Sequence, residues 1–224
     1  MTTSGILLVD KPKGWTSHDV VAKLRGITGI KKIGHGGTLD PMATGLLVIG
    51  IGSATKRLEQ FVQGDKTYLA ELTLGATSPT DDAEGEPAPR AGVKPPSGEA
   101  VGAVLQKFTG AQEQLPPVYS AIKTGGKKAY VEARAGRVPE RKPRLVTIHE
   151  LTLVAYDYPR LEVRTAVSKG TYIRALARDI GEALGTGAYL SALRRERIGA
   201  CSVEQAHRLS ELEHGWQSRI LSVD

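Results

Sequence analysis

Gly34-His35-Gly36-Gly37-Thr38-Leu39-Asp40-Pro41-Met42-Ala43-Thr44-Gly45-Leu46-Leu47 is the stretch on which the reading of this chain turns. Four of its first twelve residues are glycine, so the backbone there can adopt conformations closed to other side chains and can approach a ligand closely. Past Gly45 it runs into the apolar Leu46 to Ile49, which predicts a buried strand, and then to Ser53, a residue suited to opening a helix. Taken alone, the Asp40-Pro41 step reads as a turn whose aspartate bonds its own backbone, and His35 reads as an ordinary loop histidine.

Upstream, Gly5 to Val9 predicts a short apolar strand. A Lys-Pro-Lys-Gly turn follows, then a helix from about Ser17 with Val20, Val21, Leu24 and Ile27 on one face. Downstream, Lys66 to Leu74 alternates as a strand with Tyr68, Ala70, Leu72 and Leu74 on one side. Residues 76–96 are rich in proline and acidic side chains and read as a solvent loop. A helix is expected from about Ser97 to Phe108, two strands over 144–156 and 160–168, and a helix from Thr171 to Leu184. Strands and helices mix without a regular βαβ rhythm. That predicts an α+β fold, with a mixed, largely antiparallel sheet and flanking helices.

The chain has 224 residues and a formal charge of +6. Between Ala121 and Thr147, eight basic residues (Lys123, Lys127, Lys128, Arg134, Arg137, Arg141, Lys142, Arg144) face two acidic ones (Glu132, Glu140), so this segment carries the whole excess. A solvated surface is the plain reading of such a run. Glycines at 125 and 126 and prolines at 139 and 143 favour a protruding arm that grips a phosphate backbone through Lys123, Lys127, Lys128, Arg134, Arg137 and Arg141. No stretch reaches the roughly 20 apolar residues of a spanning helix, so no membrane association and a cytoplasmic location are expected. A single cysteine, Cys201, excludes an internal disulfide and a multi-thiolate zinc site. Histidines 18, 35, 149, 207 and 214 show no ligand spacing, and there is no Walker A sequence. Neither a metal nor a cofactor is expected.

Other blocks follow in order: Val9-Asp10-Lys11-Pro12 with Gly14 and Ser17; Lys66-Thr67-Tyr68; Leu74-Gly75, Thr77, Asp82 and Gly85; Gln114 through Lys123; Tyr130, Ala133, Arg134 and Gly136; Ser168 through Arg174; Gly187 through Leu190; and Leu193-Arg194-Arg195. Together with the glycine-rich stretch they resemble the TruB pseudouridine synthases, whose signature GHxGxLDPxAxGxL is matched at every fixed position from Gly34 to Leu47. The match extends over about residues 4–210. Cys201 and Ala166 depart from residues common in the family.

The resemblance implies a pseudouridine synthase fold and isomerisation of uridine at position 55 in the T-loop of tRNA. The expected partner is the T-arm stem-loop, with no protein partner and a monomeric enzyme. Asp40 falls at the family's catalytic aspartate, which attacks the uracil or the ribose or removes a ribose proton. Arg174 falls at the arginine that pairs with it, an arrangement that favours the ionised carboxylate. Tyr68 matches the tyrosine that stacks on the flipped base, and Tyr172 and Leu193 match residues lining its pocket. His35 matches a histidine supporting the extruded loop, and Lys11 is expected to play a supporting part. On pattern alone, Tyr68, Tyr172 and Leu193 read equally as core, and Arg194-Arg195-Arg197 as surface. Many family members continue into a PUA domain, whereas this sequence stops at Asp224. One catalytic domain over 1–224 with a basic insertion at about 121–147 is expected. The competing readings are a non-catalytic tRNA-binding or tRNA-folding module, an RNA-guided synthase, and a phosphate-binding small-molecule enzyme.

Overall fold

The computed structural model describes residues 4–119, 141–222 and, as backbone, 123–124 and 127–128. Two compact units divide the chain: Met1–Tyr68 with Leu193–Asp224, and Leu69–Ala192. The fold is α+β with a mostly antiparallel sheet.

In the first unit, β1 (Gly5–Lys11) pairs antiparallel with β3 (Thr44–Ile51), setting Leu7 opposite Ile49 and Lys11 opposite Gly45. A short β2 (Ile33–Gly36) pairs with the other end of β3, and β12 (Ala188–Ile198) lies parallel to it at Thr44 and Gly45. Both faces of β1 and β3 are covered, which is why they read as unbroken apolar runs and not as alternation. Leu7, Val9, Leu47 and Ile49 pack against Val20, Val21 and Leu24 of α1 (Ser17–Thr28) and against Trp216. Ile6, Leu8, Leu46 and Val48 pack on the other side against Ala54, Ile198 and Leu58, the first residue of α2 (Leu58–Val62). Each such side chain contributes about 1.5–3 kcal/mol by leaving water.

Helix α1 starts where a capping box forces it to. The Thr16 hydroxyl accepts from Asp19 N at 3.0 Å, and the Asp19 carboxylate accepts from Thr16 N at 2.8 Å. Those bonds hold the Asp19 carboxyl below its ordinary pKa. Gly29, at φ 70°, ends the helix in the left-handed region.

In the second unit the strand order runs from the first half of β12 through β4 (Lys66–Leu74) and β11 (Arg160–Val167) to β10 (Arg144–Asp157) and β7 (Gly110–Gln114). Along β4, Tyr68, Ala70, Leu72 and Leu74 are buried and their neighbours are not. Strands β5 (Ala76–Thr77) and β6 (Ala88–Pro89) form a small separate pair, as do β8 (Lys123–Thr124) and β9 (Lys127–Lys128). Helix α3 (Gly98–Lys107) is capped by Ser97, and α4 (Ile173–Ala183) carries a buried face that includes Arg174, Leu176 and Ile180. In the first unit, β13 (Cys201–Ser202) and α5 (Leu209–Leu212) complete the numbered elements.

Three departures from the sequence reading have local causes. Residues 52–57 form a 3-10 turn ahead of α2 instead of one helix from Ser53. Strand β2 falls at the start of the glycine-rich stretch, where no strand was expected. The expected solvent loop at 76–96 buries Asp82 at 2% exposure and Ser78 at 8%, because cations on α4 draw its carboxylates inward.

Candidate active site

Asp40 sits half-buried on the loop between β2 and β3, and that loop is fixed carbonyl by carbonyl. Gly37 O and Thr38 O accept from the Arg195 guanidinium at 2.7 and 3.4 Å. Leu39 O accepts from the Ser17 hydroxyl at 3.2 Å, and Ser17 Oγ in turn accepts from Leu39 N at 3.0 Å. Asp40 O accepts from Ala43 N at 3.1 Å, and Pro41 O takes Gly14 N at 2.8 Å and Lys11 Nζ at 3.3 Å. Every carbonyl from Gly37 to Pro41 is therefore engaged. An unmade bond to a buried carbonyl costs about 1–3 kcal/mol, so alternative conformations are penalised most at buried Leu39.

Lys11 closes the end of β1 with no exposed surface. Its ammonium donates to Pro12 O at 3.0 Å, Trp15 O at 2.6 Å and Pro41 O at 3.3 Å. Such an ammonium braces the loop and the turn before α1 together. Tyr68, on β4, is 7% exposed and Leu193, on β12, 9%. Leu193 O accepts from the Thr44 hydroxyl at 3.4 Å, which ties β12 to the residue just past the loop.

His35 lies on β2 opposite Ile49, edge-on to His18 with ring centroids 5.9 Å apart. Its Nδ1 is buried with no hydrogen-bond partner among the described residues. Burial, then the fields of His18 and Arg195, push the imidazole pKa down and favour the neutral ring.

Arg195 is the residue that sequence reading missed. It is 2% exposed, with Nε donating to Leu46 O at 2.8 Å and the two Nη atoms to the loop. Burial lowers its pKa while Tyr68 supports the charge by a hydrogen bond. The run Leu193-Arg194-Arg195-Glu196-Arg197 hides it by composition. The available signal was alternation, since Arg195 shares the buried side of β12 with Leu193. Arg194, on the other side, makes a two-pronged pair with Asp10 at 3.0 and 2.8 Å.

The second unit organises Tyr172 and Arg174 around the start of α4. Buried Gln114 clamps Tyr172 on both backbone groups: its carbonyl accepts from Tyr172 N at 2.8 Å and its amide donates to Tyr172 O at 3.1 Å. Arg174 is 8% exposed; it donates to Thr80 O at 3.2 Å and Tyr119 O at 3.0 Å and pairs with Asp82 at 3.4 Å. Asp82 in turn accepts from the Thr80 hydroxyl at 2.6 Å and Glu84 N at 3.0 Å. One turn along, Arg178 pairs with Asp81 at 2.9 Å and donates to Leu115 O at 2.9 Å. Burial raises the Asp81 pKa against the pull of that arginine.

Of the proposed arm, Arg134 and Arg137 lie outside the described residues, and Lys123, Lys127 and Lys128 are described as backbone only. Lys123 faces Lys128 across a two-residue antiparallel pair. Arg141 donates to Pro116 O at 3.1 Å.

Residues 25–173 match the model of the TruB family pseudouridylate synthase N-terminal domain, and residues 174–220 match that of the tRNA pseudouridylate synthase B C-terminal domain. The chain is 48% identical over 216 residues to tRNA pseudouridine synthase B of Thermobifida fusca, covering 93% of this chain and 74% of that protein. It is 48% identical over 220 residues to the enzyme of the same name from Leifsonia xyli, covering 95% and 73%. Among solved structures, a chain of a Cbf5-Nop10-Gar1 complex superposes with a TM-score of 0.76 at 30% identity, over 96% of this chain and 55% of that one. A chain of an H/ACA RNP bound to a substrate RNA containing 2′-deoxyuridine gives 0.72 at 27%, over 95% and 53%. This chain spans about half the length of those two. With that coverage and Asp40 on its braced loop, the chain belongs to the TruB family and is an isomerase, a tRNA pseudouridine synthase.

Proposed function

We propose that the enzyme isomerises the uridine at position 55, in the T-loop of tRNA, and that Asp40 is its catalytic residue. The observation that supports this reading most is the loop from Gly37 to Pro41, whose engaged carbonyls leave Asp40 few positions to occupy. Reactions between held groups gain from such placement, and a misplacement of about 1 Å can cost roughly 100-fold.

The uracil leaves its stack and enters the pocket, where Tyr68 stacks on it and Tyr172 and Leu193 line its surroundings. Unstacking costs a few kcal/mol, of which one aromatic ring returns about 1–3, so the rest comes from contacts along the RNA. Asp40 acts on the uracil or the ribose, with Arg174 as the cation serving its carboxylate. The C1′–N1 bond breaks, the uracil turns, and a C1′–C5 bond forms. C5 then loses its proton and N1 gains one, so the product is an isomer of the substrate. His35 supports the extruded loop of the RNA, and Lys11 plays a supporting part. The basic residues Lys123, Lys127, Lys128, Arg134, Arg137 and Arg141 grip phosphates of the T-arm. A monomeric, cytoplasmic enzyme completes the proposal.

Carbodiimide labelling of an unmodified tRNA transcript, followed by reverse transcription, tests the position. A single new stop at the T-loop uridine is expected, and none when that uridine is replaced by cytidine. Stops elsewhere in the tRNA would overturn the T-loop assignment. Binding without any stop would leave a tRNA-binding or tRNA-folding module as the function.

A further inference from the structure

We propose that Arg195 is a positioning residue for catalysis: its buried guanidinium sets the backbone of the Asp40 loop and does not touch RNA. The inference rests on the tRNA pseudouridine synthase reading above. A cation with 2% of its surface exposed cannot reach a phosphate without leaving its site. Its acceptors among the described residues are backbone carbonyls, Leu46 O on β3 and Gly37 O and Thr38 O on the loop, together with Tyr68. One planar group thus joins three pieces of chain: the strand that leaves the loop, the loop two residues before Asp40, and the tyrosine assigned to stack on the base. The His35 ring, whose buried Nδ1 has no hydrogen-bond partner among the described residues, also lies within its field.

The geometry needs a guanidinium in particular. Its Nε and two Nη atoms point in fixed directions of one plane, whereas a lysine ammonium is a point charge on a flexible stem. The backbone of Arg195 is locked as well. It pairs in parallel with Gly45, where an added Cβ would stand 2.3 Å from Arg195 O, so the two strands cannot slide to accommodate a different side chain. Removing the fork leaves Gly37 O and Thr38 O without their donor while the bonds at Leu39, Asp40 and Pro41 remain. The expected lesion is a shift of the loop, not its loss.

The test uses the full chain as wild type, Arg195→Lys and Arg195→Gln, with Asp40→Asn as an inactive control. Thermal melting establishes folding, filter binding gives the tRNA Kd and its salt dependence, and single-turnover kinetics give the rate of pseudouridine formation. The expected result is a folded Arg195→Lys enzyme with a Kd within about twofold of wild type, an unchanged salt slope and a rate at least roughly 30-fold lower. A wild-type rate overturns the proposal. So does a Kd raised tenfold with a shallower salt slope, which would make Arg195 an RNA contact. If neither variant folds, Arg195 is a folding residue and the positioning role is overturned as well. Failure of the wild type itself to form pseudouridine would refute the underlying activity instead, and would be visible in that arm alone.

Discussion

At the scale of single residues, the site depends on buried charges held by backbone and by each other. Asp82 is the sharpest case in the second unit, since its carboxylate, 2% exposed, partners Arg174 and braces Thr80 and Glu84. Breaking a buried pair by removing one partner costs about 3–5 kcal/mol, so Asp82→Asn is expected to lose roughly 3 kcal/mol in urea unfolding. It should also slow catalysis through Arg174, and a loss under about 0.5 kcal/mol would contradict the pairing. His35 gives a pH prediction. Its folded pKa lies below the ordinary 6.5, so the unfolded chain takes up the proton first. The resulting stability is complete above about pH 6.5 and is lost as pH falls below it. The melting temperature of His35→Gln should therefore decline less than that of wild type between about pH 7.5 and 5, and identical slopes would contradict it. Asp40, Tyr68, Tyr172, Arg174, Leu193, His35 and Lys11 were named from motif blocks. Arg195 lay in the last of those blocks but was given no role, because hydropathy counts an arginine between charged neighbours as surface, and only a fixed strand register turns it inward.

At the scale of elements, legibility follows how locally each element is determined. Helix α1 was readable because Val20, Val21, Leu24 and Ile27 recur on one face, and in the structure Thr16, Asp19 and Gly29 fix its ends. Loss of the cap, as in Thr16→Ala, is expected to cost about 1 kcal/mol and leave the catalytic rate intact, measured by unfolding and single turnover. Strand β4 was readable from alternation, and β10 and β11 were expected as two strands over 144–156 and 160–168. Strand β2 was not, since its four residues include two glycines and it is defined by pairing with β3. Nor was β12, whose charged second half conceals its period. The junction of β3 and β12 is the critical one for the site. Gly45, at φ 96°, has Arg195 backbone where its Cβ would go. Gly45→Ala is thus expected to cost at least roughly 2 kcal/mol and most of the activity, and a variant that melts like wild type would contradict the packing.

On the whole-molecule scale, the fold class and family were legible because motif blocks recur in order along the chain. The division into units was not, because one of them combines Met1–Tyr68 with Leu193–Asp224, and local periodicity carries no information about segments that distant. Charge distribution was plain from the sequence: the whole excess of +6 lies between 121 and 147. If that segment grips phosphates, log K for tRNA should fall with log salt by about 0.7–0.9 per contact. Reversing Lys127 and Lys128 to glutamate should weaken binding and make the slope shallower by about one to two, and an unchanged slope would count against the arm. If the braced loop presents Asp40 to the reacting nucleotide, release of tritium from a tRNA transcript labelled at uridine C5 depends on that carboxylate. Wild type should release one tritium per transcript, and Asp40→Asn should release none while binding the tRNA with similar affinity. Release by both proteins would contradict the account, because the chemistry would then belong to another residue.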